Sequence, residues 1–177
     1  MGGASDRPPA SGDVPPGSIE VGRGLRRLFR APVRLYDWHL GWTLGHRFLR
    51  LTHQGRRSGR RYRTVLEVIG RDRSSGEYLV IAGFGRRADW FRNVSAARQP
   101  VEIEVARDHF PADHRILGED EAMAVLASYE HRNRLLAPVV RRMLGRMIGQ
   151  PYDGSESARQ AAVQRLPVVG FRPRVPA

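Results

Sequence analysis

Between Arg47 and Leu117 the chain is cut into short segments, several of which alternate apolar and polar residues, by turns built on glycine, aspartate, serine and proline. Alternation at period two gives a strand one buried and one solvated face, and segments this short cannot be amphipathic helices. Strands are expected at Arg47–His53, Arg61–Arg71, Glu77–Ala82, Val101–Ala106 and His109–Leu117. Within the second of them Tyr62, Thr64, Leu66 and Val68 alternate. The turns fall at Gln54–Arg60, Asp72–Gly76 and Arg107–Asp108, where short connections favour antiparallel pairing. Helical spacing separates the later strands. Asp89 reads as the N-cap of a helix over Trp90–Arg98 that Pro100 ends. Glu119-Asp120-Glu121 opens a second helix, with acids where the helix dipole favours them. Further helical spacing covers about Leu135–Ile148 and a short stretch after Ser155, and Gln164–Phe171 reads as a closing strand. The expected class is α+β, a small antiparallel β-barrel with flanking helices.

At 177 residues the chain is long enough for one domain with a proper core. Residues 1–20, rich in Pro, Gly, Ser and Asp, read as a disordered tail, leaving 21–177 as a single domain. Its first element is a basic amphipathic helix over 25–44 carrying Trp38 and Trp42. Such a stretch covers an open barrel end or touches a membrane surface peripherally. No signal peptide pattern or apolar run of membrane-spanning length occurs, so a cytoplasmic protein is expected, membrane-associated only if 25–44 docks.

There is no cysteine, and the six histidines do not pair at metal-site spacing, so no metal is expected. Ser58 lies in G-R-R-S-G rather than a nucleophile elbow, and no glycine pattern of a Walker or Rossmann type appears. Catalysis by a protein nucleophile or a metal therefore has no support, which leaves room for an organic cofactor. The net charge of +12, carried on arginine with no lysine, calls for an anionic partner.

Two segments concentrate the chemistry. In Gly55-Arg56-Arg57-Ser58-Gly59-Arg60-Arg61-Tyr62-Arg63-Thr64, arginines flank turn glycines, a pattern that suits an anion and suits a solvated turn equally well. In Ala82-Gly83-Phe84-Gly85-Arg86-Arg87-Ala88-Asp89-Trp90-Phe91-Arg92-Asn93, a glycine-flanked loop leads into a helix N-terminus, where Trp90 and Asn93 share a face.

Taken in order, L-T-x-x-G-R-x-S-G-x-x-x-R-T at 51–64, A-G-F-G at 82–85 and D-W-x-x-N at 89–93 resemble the deazaflavin-dependent, nitroreductase-like oxidoreductases, over about Gly45–Glu121. That resemblance implies a split β-barrel that binds coenzyme F420 and passes hydride from its reduced form to a small acceptor: a quinone, a nitro compound or an activated alkene. It implies that Gly55, Arg56, Arg57, Ser58 and Gly59 hold the phosphate and polyanionic tail, with Arg63 and Thr64 beside them. Ala82, Gly83, Phe84 and Gly85 would line the deazaflavin, and Trp90 and Asn93 would complete that pocket. Tyr129 falls where some relatives carry an acceptor-side tyrosine. The chain departs from the family pattern at Val65-Leu66, Ala88-Asp89 and Phe91, nearer the ring and acceptor than the phosphate. The alternatives are a split-barrel reductase using a flavin nucleotide and an arginine-rich nucleic-acid-binding module. Against the second, no aromatic residues for stacking bases interleave with these arginines on a sheet face, so no nucleic-acid partner is expected. A homodimer is compatible with all of this.

Overall fold

Strand β1, Phe48–Gln54, buries Leu49, Leu51 and His53 and turns the residues between them toward the surface. The computed structural model describes residues 46–174, so the expected tail at 1–20 and amphipathic helix at 25–44 lie outside the described residues. Five further strands follow: β2 (Arg61–Arg71), β3 (Tyr78–Ile81), β4 (Val101–Val105), β5 (Asp108–Ile116) and β6 (Val168–Pro173). Every pairing is antiparallel, and the order β1-β2-β3-β6-β5-β4 closes through β4 and β1. Closure leaves no unpaired edge. Helix α1 (Asp89–Ala96) lies between β3 and β4; α2 (Glu119–Arg132), α3 (Ala137–Ile148) and α4 (Glu156–Arg165) lie between β5 and β6. The expected α+β barrel with flanking helices is the fold observed.

Two apolar cores account for the arrangement. The first fills the barrel with Leu49, Leu51, Leu66, Tyr78, Val80, Ile103, Val105 and Phe171, and α1 adds Trp90, Phe91 and Val94. The second lies outside the barrel wall, where Ile69, Leu79 and Val168 pack under Leu126, Val140, Leu144, Val163 and Leu166 of the three later helices and the chain that follows them. Tyr78 and Val80 therefore face one core and Leu79 the other, which is why this segment is an uninterrupted apolar run.

The alternation expected from Tyr62 through Val68 ends at a register shift between Val68 and Gly70. Ile69, like Glu67, faces the helical core as the alternate position to Leu66 and Val68, and the bulge leaves Gly70 on that side as well, under Leu79 and Val125. Helix α1 begins at Asp89, with Ala88 as its N-cap, and ends at Ala96, before Pro100 rather than against it. Gln164, expected to open the last strand, belongs to α4, and β6 starts at Val168. Ala106, at φ 55°, makes the turn between β4 and β5, which brings Asp108 into the strand. At the barrel wall the buried Glu77 carboxylate is held by Arg115 at 2.8 and 2.7 Å, and Arg115 also grips Glu121 of α2 at 2.8 and 2.6 Å, pinning that helix.

Candidate active site

The turn joining β1 to β2 is shaped by its two glycines. The Gly55 N–H donates to the Arg60 carbonyl and the Gly59 N–H to the Gly55 carbonyl, both at 2.8 Å. Gly59 sits at φ +66°, where only glycine is unstrained. A Cβ at Gly55 would lie 2.7 Å from both Ser58 Oγ and the Tyr62 ring, so this position must also stay bare. The Ser58 hydroxyl lies 3.2 Å from the Tyr62 hydroxyl and accepts from the Arg60 N–H at 3.4 Å.

The five arginines of the turn divide by partner. Arg61 is paired with Glu102 of β4. The Arg56 side chain, 23% exposed, donates from Nη1 to Asn93 Oδ1 at 2.9 Å and lies 3.6 Å from Asp89. Arg57, Arg60 and Arg63 are exposed and form no ion pair among the described residues. Three guanidiniums without carboxylates around a glycine turn are free to receive an anion.

Asn93 is the join between the two sequence segments. Buried on α1, it accepts from the Arg56 N–H at 3.1 Å as well as from Nη1. Its amide Nδ2 sits 3.2 Å from His53 Nδ1. An amide N–H can only donate, so His53 accepts there and carries its own proton on Nε2, which lies 3.5 Å from Thr64 Oγ1. Burial pushes the His53 pKa below its ordinary 6.5, against the backbone at Gln54 and the charge of Asp89, which pull it up. Its ring stacks on Tyr62 at 6.0 Å and 23°.

The 82–85 loop is equally constrained. Ala82 is fully buried and its N–H donates to the Pro167 carbonyl at 2.9 Å. Gly83 lies beneath Met147 of α3, whose methyl would be 3.2 Å from a Cβ there. Gly85, at φ +62°, opens a 3-10 turn over Gly85–Arg87, and a Cβ on it would strike the Arg165 carbonyl at 2.6 Å. Phe84 alone among these four projects outward, 65% exposed, and Arg86 and Arg87 beside it are exposed and form no ion pair among the described residues. Trp90 is packed into the barrel core, edge-on to Phe91 at 6.0 Å.

The structure thus brings Gly55–Thr64 and Ala82–Asn93 to one end of the barrel and gives their members different surroundings. Tyr129 is set apart from the Gly55–Thr64 turn. Buried in the helical core, it donates to Glu67 Oε1 at 3.1 Å. Glu67 pairs with Phe48 while the turn begins at the Gln54–Arg61 pair, six residues on. That separation is about 20 Å along β2. Burial first, then the Glu67 charge and hydrogen bond, push the Tyr129 pKa up to about 12. No group of three or more His, Asp or Glu that could hold a metal occurs among the described residues, and no helix there is long and apolar enough to cross a membrane.

His53, Tyr62 and the pairing role of Asp89 were not picked out from sequence. His53 had a signal: it continues the Leu49, Leu51 register, which marks a histidine pointing inward at the end of a core face. Nothing in the sequence linked Arg56 to Asn93, 37 residues away.

Comparison with known proteins bears on this geometry. Among solved structures, a protein of unknown function from Agrobacterium tumefaciens strain C58 superposes with a TM-score of 0.50 at 14% identity, over 92% of this chain and 60% of its own. An F420-H2-dependent reductase superposes with a TM-score of 0.44 at 16% identity, over 72% of this chain and 96% of its own. A pyridoxamine 5'-phosphate oxidase-related, FMN-binding protein from Nostoc punctiforme PCC 73102 gives 0.43 at 16% identity, over 88% and 82%. Such identities speak to fold alone. The comparison with curated proteins finds no match. The family model for F420H2-dependent quinone reductases matches residues 27–143, a span that contains both segments and the whole of α1, and the chain belongs to that family.

Proposed function

We propose that the Gly55–Thr64 turn and the Ala82–Asn93 segment together hold coenzyme F420, and that the acceptor of the family's F420-dependent oxidoreduction is here a quinone. The observation that carries the reading is the Asn93 contact to Arg56. It fixes an arginine turn against the very helix that follows the 82–85 loop, so one face offers cations that no described acid pairs and an exposed aromatic ring together. A ligand with a phosphate, carboxylates and a flat ring fits that donor set.

When bound and reduced, coenzyme F420 supplies a hydride from C5 of its deazaflavin ring. In this reading Arg57, Arg60 and Arg63 receive the phosphate and carboxylates, with Ser58 as a neutral donor at the turn. Arg56 holds the turn in place through Asn93. Phe84 offers its exposed face to the ring, Gly83 and Gly85 keep the backbone close, and Ala82 and Trp90 form the wall behind them. The protein's task is to orient the ring and exclude water, since the hydride chemistry belongs to the coenzyme. Tyr129, with a pKa near 12 and its hydroxyl already donating to Glu67, is a poor acid at neutral pH, so in this reading solvent delivers the proton and Tyr129 keeps β2 and α2 in register. Peripheral contact with a membrane through residues 25–44 is part of the same reading, resting on the arginines, Trp38 and Trp42 of that segment.

Equilibrium titration with coenzyme F420 and with flavin mononucleotide, at moderate salt, tests the assignment. Micromolar or tighter F420 binding corresponds to about 8 kcal/mol. Equal or tighter binding of flavin mononucleotide would overturn it in favour of a flavin reductase. Quinone, nitro and alkene acceptors compared by kcat/KM then test the acceptor class.

A further inference from the structure

Helix α3 and the 3-10 turn before it carry a surface that the coenzyme site does not use. Leu135 is 91% exposed, Val139 64% and Leu136 52%, three of the most exposed large apolar side chains among the described residues. They are neighbours at the start of α3, since Arg134–Leu136 forms the 3-10 turn that runs into Ala137. Along the helix, Arg142 and Arg146 follow Val139 at three and seven residues and so share its face, with Met143 between them. From His131 to Tyr152 the chain has five arginines and neither Asp nor Glu. Arg134, Arg142 and Arg146 are exposed and form no ion pair among the described residues. Between the later two and the chain at Gly149–Tyr152 runs an open groove of about 480 Å³ that Arg141 also lines.

A protein helix that only needs to be soluble would mix signs on such a face and keep its leucines inward. Here three apolar side chains stand exposed at one end, and a stripe of positive charge runs from them with which no acid among the described residues pairs. Fixed cations beside an apolar tip match a surface that is itself negative outside and apolar beneath. We propose that this face of α3 docks on an anionic phospholipid bilayer, with Leu135, Leu136 and Val139 entering the acyl boundary and Arg134, Arg142 and Arg146 meeting lipid phosphates. The buried side of the same helix sends Met147 over Gly83 of the coenzyme loop, so docking sets that loop near the lipid. The inference stands apart from peripheral contact through residues 25–44, which involves a different segment, and from the assignment of the coenzyme.

The test uses the full chain and co-sedimentation with vesicles of phosphatidylglycerol mixed into phosphatidylcholine, and of phosphatidylcholine alone. The unmodified protein should bind the anionic vesicles, bind more weakly as salt rises, and bind phosphatidylcholine at least tenfold less. Leu135→Ser/Leu136→Ser/Val139→Ser and Arg142→Glu/Arg146→Glu should each reduce anionic-vesicle binding at least tenfold, with unchanged Tm and F420 affinity. Vesicle binding that survives both sets of substitutions overturns the proposal. So does loss of binding on Trp38→Ser/Trp42→Ser alone, which would assign the contact to 25–44. A fall in molecular mass from dimer to monomer in the leucine variant, with no vesicle binding by the parent, would show the face to be a self-interface and overturn it equally.

Discussion

Arg56 and Arg57 are adjacent in sequence and differ in what they touch. Arg57 faces solvent with no partner among the described residues, whereas Arg56 is gripped by Asn93 and Asp89. Replacing each by alanine should therefore separate binding from stability. A charge-assisted hydrogen bond contributes roughly 1.5–3 kcal/mol, so Arg57→Ala should raise the F420 dissociation constant about tenfold to a hundredfold and leave Tm unchanged. Arg56→Ala removes one of the two bonds to a buried amide oxygen and should cost about 1–2 kcal/mol of stability, a Tm loss of a few degrees for a chain of this size. Calorimetry and titration on the two single variants check both halves, and equal Tm for both would remove the latch. His53 adds a pH dependence whose sign is set by its neighbours. Neutral His53 accepts from Asn93; once protonated at Nδ1 it would present a donor to a donor. Its folded pKa is lowered from 6.5, so the native state resists protonation. Stability is full above about pH 6.5 and falls as pH drops through the lowered value. F420 affinity should fall over the same interval as the turn loosens. A His53→Gln variant should flatten both profiles, and profiles that stay parallel to the parent's would exclude His53 as the source.

At the scale of elements, the two glycine motifs look alike in sequence and do different work. Gly59 has a left-handed backbone and open space around it; Gly85 has the same backbone with the Arg165 carbonyl pressed against it. Gly59→Ala should cost about 1 kcal/mol from conformation alone. Gly85→Ala adds a backbone clash that cannot rotate away, and should cost more than the upper part of the usual range of about 1–3 kcal/mol for backbone strain. Denaturant midpoints of the two variants give the comparison, and equal losses would show that the α4–β6 connection yields. Strand β2 makes a related point. Its sequence alternates from Tyr62 to Val68, so that its two faces serve the barrel core and the helical core, and the bulge between Val68 and Gly70 leaves Gly70 on the helical side next to Ile69. The alternation was legible because period two is a local property; the bulge was not, because it answers to helices about fifty residues and more further on.

Across the whole molecule, the sequence by itself determined the class of fold: short alternating segments and tight turns permit antiparallel pairing and little else. It also determined that the chain would favour an anion, since +12 on arginine is a property of composition. Both motifs of the candidate site were visible as motifs. What each residue does within them was decided by tertiary structure. Asn93, read as a pocket residue, is buried against a turn 37 residues away, and Trp90, read beside it, is part of the barrel core. Tyr129 was placed by its helix, and only the sheet register puts its hydroxyl on Glu67, far from the turn. The exposed leucines before α3 follow a helical spacing that in sequence is the spacing of a packed helix. Periodicity states which residues share a face, but which face meets a neighbour depends on how distant elements pack, and the energy that decides it is spread over contacts that no local window contains.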